Sequence, residues 1–217
     1  MRLSRTPLPP ATVGNQLHFR LYAAQHGFQA GVWRRSAATV QASRATFCVV
    51  TGNQRGPAND APYRMIRDVC FGEDVVVSSF TNLYGCSIGD GTRVGPFVEI
   101  QRGVTIGARC KVQSHSFICD GVSIADEVFV GHGVLFINDK RPRATTQDGT
   151  LQIDTDWDLL PIVVGQRATL GSGAIVIGGI HIGEEAMIGA GAVVTRDVEA
   201  HQTVAGVPAR LLGARLR

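Results

Sequence analysis

From Leu83 to Phe136 a large apolar residue returns at every sixth position: Ile88, Val94, Ile100, Ile106, Val112, Ile118, Ile124, Val130 and Phe136. A helix repeats its buried face about every 3.6 residues and a lone strand every second residue, so neither gives this beat. One position after the beat a small residue is common, as at Gly89, Gly95, Gly107, Ala125 and Gly131. Four positions after it stands another small or β-branched side chain: Thr92, Val98, Val104, Cys110, Ser116, Val122, Val128 and Val134. This six-residue unit predicts an all-β fold, a parallel β-helix in which each hexad supplies one short strand and one corner. A single hexad has nothing to pack against, so only stacking of coils closes a core.

With three hexads per turn, residues about 18 apart lie above one another at ~4.8 Å. Ser114 and His132 then share one column with Pro96, and the next column reads Phe97, His115, Gly133. His115 and His132 are thereby placed on adjacent coils at one corner. A third column holds Tyr84, Arg102, Asp120 and Asn138, with the Arg102–Asp120 step read as a solvated charge pair. Carried upstream at constant phase, the beat falls on Cys70, Val76 and Asn82, which puts a polar amide at a core position. A buried amide needs hydrogen-bond partners, so Asn82 is either satisfied by backbone or serves a substrate.

The beat breaks from about Ile137 to Pro161 and resumes with Val164, Leu170, Val176, Ile182, Ile188 and Val194. A long excursion from one corner of a regular prism, carrying Trp157 and several charges, is expected to be a lid or an arm towards a neighbouring subunit. The expected organisation is a leader over 1–64, a β-helix domain over 65–203 and a C-terminal tail over 204–217 that blunts the last open coil. The leader is either disordered, an upstream translation, a transit segment or a small helical cap; nothing in it would make a core.

Composition sharpens this only in places. Gly at 26 of 217 residues and aromatics at 6% suit a fold made of corners. No apolar run approaches the ~18 residues of a membrane span, so no membrane insertion and a cytoplasmic protein are expected. The net charge of +3 conceals seven arginines and no acid in residues 1–59, which leaves the remainder net acidic and argues against nucleic acid as a partner. Five cysteines form no C-x-x-C pair and are expected to be reduced, small buried hydrophobes.

Residues from about 65 onward resemble the hexapeptide transferases, left-handed β-helix acyltransferases that use acetyl-CoA. The closing Gly206-Val207-Pro208-Ala209-Arg210 is similar to that family's C-terminal signature. Three further segments resemble the subgroup that N-acetylates 3-amino nucleotide sugars for surface polysaccharides: Asn82-Leu83-Tyr84-Gly85-Cys86, Ser114-His115-Ser116-Phe117-Ile118-Cys119, and Phe136-Ile137-Asn138-Asp139 with Pro142-Arg143-Ala144. Residues 1–60 have no counterpart in the family. The resemblance implies a left-handed β-helix, a homotrimer with sites in the grooves between prisms, and acetyl-CoA laid along a coil against Gly131, Gly133, Gly171, Gly189, Ala190 and Arg210. It implies a nucleotide-linked amino sugar held by Asn138, Asp139, His115 and Tyr84, with His132 and Asn82 as the catalytic pair.

An amine attacking a thioester needs alignment, an oxyanion donor and a destination for a proton. His132 suits the last role because imidazole titrates near neutrality, and backbone N–H groups around Gly131 and Gly133 are the expected oxyanion donors. Three other readings stand beside this one: an O-acetyltransferase acting on a hydroxyl, a zinc hydro-lyase and a non-catalytic scaffold. The zinc reading needs three histidine ligands, and where a third would stand the chain has Ile137. No metal is therefore expected.

Overall fold

The computed structural model describes residues 63–214. The predicted leader lies outside them except for its last two residues, as do residues 215–217 of the tail.

The hexads form a three-sided parallel β-helix. The first face stacks Met65–Arg67, Asn82–Tyr84, Glu99–Ile100, Phe117–Ile118, Leu135–Ile137, Ile175–Ile177 and Val193–Val194. The second runs from Cys70–Phe71 through Ser87–Ile88, Thr105–Ile106, Val122–Ile124 and Ile162–Val164 to His181–Ile182. The third runs from Val76–Val77 to Met187–Ile188 and is extended by Gln202–Ala205. Arg210–Ala214 then pairs antiparallel on that last strand and occupies its open edge, which limits edge-to-edge association.

Every beat residue from Ile88 to Phe136 and from Val164 to Val194 is buried, in one continuous core with the small corner residues. Each fully buried Ile, Leu or Phe contributes on the order of 1.5–3 kcal/mol. The three polar side chains buried among the described residues are satisfied, the Thr81 hydroxyl by donating to the Ser78 carbonyl at 3.2 Å. The Thr92 hydroxyl donates to the Gly107 carbonyl and accepts from the Cys110 N–H, at 2.8 and 2.9 Å. The Ser116 hydroxyl lies 3.0 Å from the carbonyls of Gln113 and Gly131.

Most corners use one residue with positive φ, the turn over 195–197 being an exception, and the three corners are different in chemistry. Between the second and third faces the column is charged. Arg109 and Arg167 flank Glu127 at 2.7 Å each, and Glu185 follows at 3.4 Å from Arg167 and 3.3 Å from His201. Between the first and second faces the column is Gly85, Gly103, Gly121 and Gly179, and the long loop leaves from it. Between the third and first faces it begins with rings.

The early coils correct the constant-phase expectation. Leu83 pairs with Ile100 and Phe71 with Ile88, 17 positions apart, whereas Ile100 pairs with Ile118 at 18. The corner after Leu83 reaches its positive-φ residue, Gly85, in two steps; the corner after Ile100 takes three to reach Gly103. The core phase upstream is thus Phe71, Val77 and Leu83, not Cys70, Val76 and Asn82. Leu83 is fully buried, and Asn82, in register with Glu99, points away from the core and is half-buried. Cys86, Cys110 and Cys119 are buried free thiols, but Cys70 stands outside the core phase and is disulfide-bonded, contrary to the expectation of five reduced cysteines.

Two outcomes follow. Leu83→Ala should cost about 2–5 kcal/mol in denaturant unfolding and Asn82→Ala less than about 1 kcal/mol; a larger loss at Asn82 would contradict the 17-residue coil. Hydrogen bonds from Arg167 and then Arg109 hold the Glu127 carboxyl down to about 2 against its ordinary 4.5. A lowered folded-state value contributes stability above the ordinary pKa that is lost as pH falls through the folded one. Thermal midpoints should therefore decline between those limits, with a shallower slope for Glu127→Gln.

Candidate active site

The corner between the third and first faces gathers most of the predicted site residues. Gly131, Gly171 and Gly189 are successive rungs of its first column, His132, Ser172 and Ala190 of its second, and His115, Gly133, Gly173 and Gly191 of its third. Glycine is required in the first column. A Cβ on Gly131 would meet the Ser172 backbone at 2.6 Å, and one on Gly171 the Ala190 backbone at 2.4 Å.

His132 is exposed, and its ring is aimed by a neighbour: Nδ1 lies 2.8 Å from the Ser114 hydroxyl one coil below. The His132 N–H donates to the Ser172 hydroxyl one coil above at 3.2 Å. If Nδ1 carries the proton and donates it to Ser114, Nε2 is left as the acceptor facing outward.

The oxyanion expectation needs correction at this corner. The Gly131 N–H donates to the Leu170 carbonyl at 2.8 Å and the Gly133 N–H to the Ser114 carbonyl at 2.9 Å. Both are consumed by the coil-to-coil ladder. The middle residues of the next two turns are different: the N–H groups of Ser172 and Ala190 have no acceptor within the described chain.

His115 is exposed and stacked. Tyr63, Phe80, Phe97 and His115 form one column of rings, with centroids 5.4, 5.1 and 4.8 Å apart in turn. The column stops there. At the next rung, Gly133, a Cβ would find nothing within 4 Å.

The remaining predicted residues lie elsewhere. Asn138 and Asp139 are across the full width of the first face, at the corner where the loop begins. The Asn138 amide donates to the Asp120 carbonyl at 2.9 Å, and the Leu160 N–H returns to the Asn138 carbonyl at 2.9 Å, closing the loop's neck. Asp139 accepts from the Arg141 N–H at 2.7 Å in an Asx turn. Asn82 and Tyr84 are three rungs from the His132 coil, ~14 Å along the axis. The Asn82 Oδ1 is buried without a partner. Burial, then the Glu99 charge, raises the Tyr84 pKa. Arg210 is exposed on the terminal strand and donates to the Ala209 carbonyl at 2.9 Å.

The loop folds back along its corner instead of standing free. Arg102 bridges Asp120 at 3.5 Å and also pairs with Asp154 of the loop, so the step read as a charge pair is a three-residue clamp. Leu159 covers Gly121, where a Cβ would meet its Cδ2 at 2.4 Å. Leu151 and Ile153 on the same loop are exposed.

The free thiols are unsuited to nucleophilic work. Burial pushes Cys86 up to about 12 and Cys119 up to about 11, and raises Cys110. Among the described residues no three His, Cys, Asp or Glu side chains gather as a metal site, and no helix is long and apolar enough to cross a membrane. Ser114 was visible from sequence as the residue stacked under His132. Ser172 was not, because the loop puts 40 positions instead of 18 between it and His132.

Two family models match the chain. Residues 85–119 match the bacterial transferase hexapeptide (six repeats) and residues 161–196 the hexapeptide repeat of succinyl-transferase. The transferase hexapeptide repeat thus runs on both sides of the loop. The bifunctional protein GlmU of Synechococcus sp. (strain CC9605) is 32% identical over 145 residues, 59% of this chain and 32% of that protein. The chain spans about a quarter to a third of the length of the curated relatives it matches. Among solved structures, a variant of AntD, an N-acyltransferase from Bacillus cereus in complex with dTDP and coenzyme A, aligns with TM-score 0.60 and 19% identity over 68% of this chain and 84% of that one. A hexapeptide-repeat containing acetyltransferase from Vibrio cholerae O1 biovar eltor, complexed with acetyl coenzyme A, aligns with TM-score 0.53 and 23% identity over 61% and 72%. At those identities the likeness is one of fold.

The Arg102 clamp has a direct test. Arg102→Ala should leave the melting temperature within a few degrees, since exposed ion pairs are worth ~0–1 kcal/mol, but accelerate tryptic cleavage after Lys140 and Arg143. Unchanged cleavage would mean the loop is held by Leu159 alone.

Proposed function

We propose that this hexapeptide-repeat chain transfers the acetyl group of acetyl-CoA to the amino group of a 3-amino nucleotide sugar, UDP- or dTDP-linked, for surface polysaccharide synthesis. The observation that carries the proposal is His132, exposed at a glycine-lined corner with its Nδ1 held by Ser114. The three segments quoted above, the two family models and the ligands of the solved structures of like fold support it.

In this reading the pantetheine arm follows the glycine rungs, Gly131, Gly171 and Gly189, towards His132. The amine nitrogen attacks the thioester carbonyl carbon and the carbonyl π pair moves to oxygen. The Ser172 or Ala190 N–H, each without a protein acceptor, donates to that oxyanion; one such donor is worth roughly 3 kcal/mol. His132 Nε2 takes the amine proton, and Nδ1–H to Ser114 steadies the imidazolium. The tetrahedral carbon then expels the coenzyme A thiolate, which the proton from His132 converts to thiol.

Asn138, Asp139, Asn82 and Tyr84 line the first face and its far corner. They serve the nucleotide part of the acceptor, whose diphosphate and nucleoside extend away from the sugar. The Asn82 Oδ1, buried and unpartnered, takes a donor from it. The chain works in the cytoplasm as a homotrimer whose neighbouring prism closes the groove, with Arg210 on the coenzyme.

The His132–Ser114 pair would equally activate a hydroxyl, and this observation favours an O-acetyltransferase as the second reading. A screen of acetyl-CoA turnover across 3-amino and 4-amino nucleotide sugars and matched alcohols separates them. Turnover should be highest on a 3-amino sugar, and His132→Asn should lower kcat about 10²–10⁴-fold with little change in acceptor KM. Turnover of alcohols alone would replace the proposal with the second reading. Absence of coenzyme A binding would remove both.

A further inference from the structure

We infer that the open rung at Gly133 is the subsite for the acceptor's sugar ring, which stacks its C–H face on the His115 imidazole as the fifth member of the ring column. The inference rests on the function proposed above and assigns the part of the substrate that this place takes.

Four side chains of one column, Tyr63, Phe80, Phe97 and His115, project from positive-φ corner residues at φ 63, 61, 58 and 64°. The first two pairs are nearly parallel, at 7° and 5°, and His115 tilts 25° from Phe97. Positive φ is shared by the other corners, but four exposed rings stacked face to face on successive coils are found in this column and mark a built feature. Phe97 covers one face of His115. The other face looks along the axis to Gly133, where the backbone keeps the same conformation, φ 64°, and carries no side chain. The two rungs beyond, at φ 72 and 68°, are Gly173 and Gly191, and a Cβ on Gly191 would also find nothing within 4 Å. The column is therefore a wall of rings ending in a trough of glycines, and the change occurs beside His132.

Adjacency to His132 selects the occupant. A group resting on His115 at the Gly133 rung presents its substituents to the residue preceding Gly133 in sequence. The nucleobase of a nucleotide sugar is separated from the amino carbon by a ribose and a diphosphate, so a base in this place would carry the amine away from Nε2. The adenine of coenzyme A lies a whole pantetheine arm from the thioester and fails for the same reason. A hexose pyranose offers an apolar C–H face to an aromatic ring and carries the amine on its rim. The ring wall also gives the trough a closed end, so that thioester and amine meet at one point.

Gly133→Phe tests this, because Phe80 and Phe97 already adopt the required backbone conformation in the same column. Calorimetric titration of UDP- and dTDP-linked 3-amino hexoses, UDP and dTDP alone, and coenzyme A would be compared in wild type and variant. The expected result is at least a tenfold weaker binding of the nucleotide sugar, with the nucleoside diphosphate and coenzyme A unchanged, so that the sugar no longer adds to the affinity of the diphosphate. Should Gly133→Phe fail to fold, His115→Ala is read in the same way and should narrow the same difference. Undiminished nucleotide-sugar binding overturns the inference, as does an equal loss for the bare nucleoside diphosphate or a loss for coenzyme A. Either result leaves the proposed acetyl transfer standing, which fails separately if wild type acetylates no nucleotide sugar.

Discussion

The structure depends on one constraint: each coil must return its inward side chain to the same axial column as the coil below. When it does, main-chain N–H groups of one coil meet carbonyls of the next, as from Gly95 to Val112 and from Gly131 to Leu170, both at 2.8 Å. A backbone group left unpaired beside the core would cost about as much as a lost hydrogen bond. The hexad meets this demand by alternating a large inward residue with a small one and spending one positive-φ residue at most corners. Faces are therefore interchangeable in the core and free to differ outside it.

That freedom lets a repetitive scaffold carry a different chemistry at each corner. One corner carries an alternating run of arginines and glutamates that ties coil to coil. A second is kept bare by glycines and emits the loop, which Arg102 and Leu159 fasten back onto the corner. The third holds rings below and glycines above, with His132 at the boundary. Nothing in the core distinguishes these corners. The differences lie in the residues that each coil contributes at the second and third positions of its turn.

Much of this was legible in the sequence because spacing translates directly into stacking. The buried columns, the break and its resumption, and the neighbourhood of His115, Ser114 and His132 all follow from counting by six. The failures have physical causes. Counting upstream at constant phase put Asn82 in the core, whereas the tight turn at Gly85 removes one residue and gives the place to Leu83. Apolar Phe71 and Val77 on the shifted phase carried that signal. The oxyanion donors were misassigned to Gly131 and Gly133 because a β-helix consumes those N–H groups in its own ladder, which spacing does not reveal. Ser172 was hidden by the insertion. The orphaned oxygen of Asn82 depends on side-chain packing, and no periodicity encodes it.

The central claim is that acyl transfer takes place at the corner where rings give way to glycines, with His132 at the reacting centre. A crystal structure of the protein with coenzyme A bound tests it most directly. The account predicts the pantetheine along Gly131, Gly171 and Gly189, its sulfur within a few ångströms of His132 Nε2. A coenzyme seated with its sulfur at the loop corner or beside the arginine–glutamate column would contradict it.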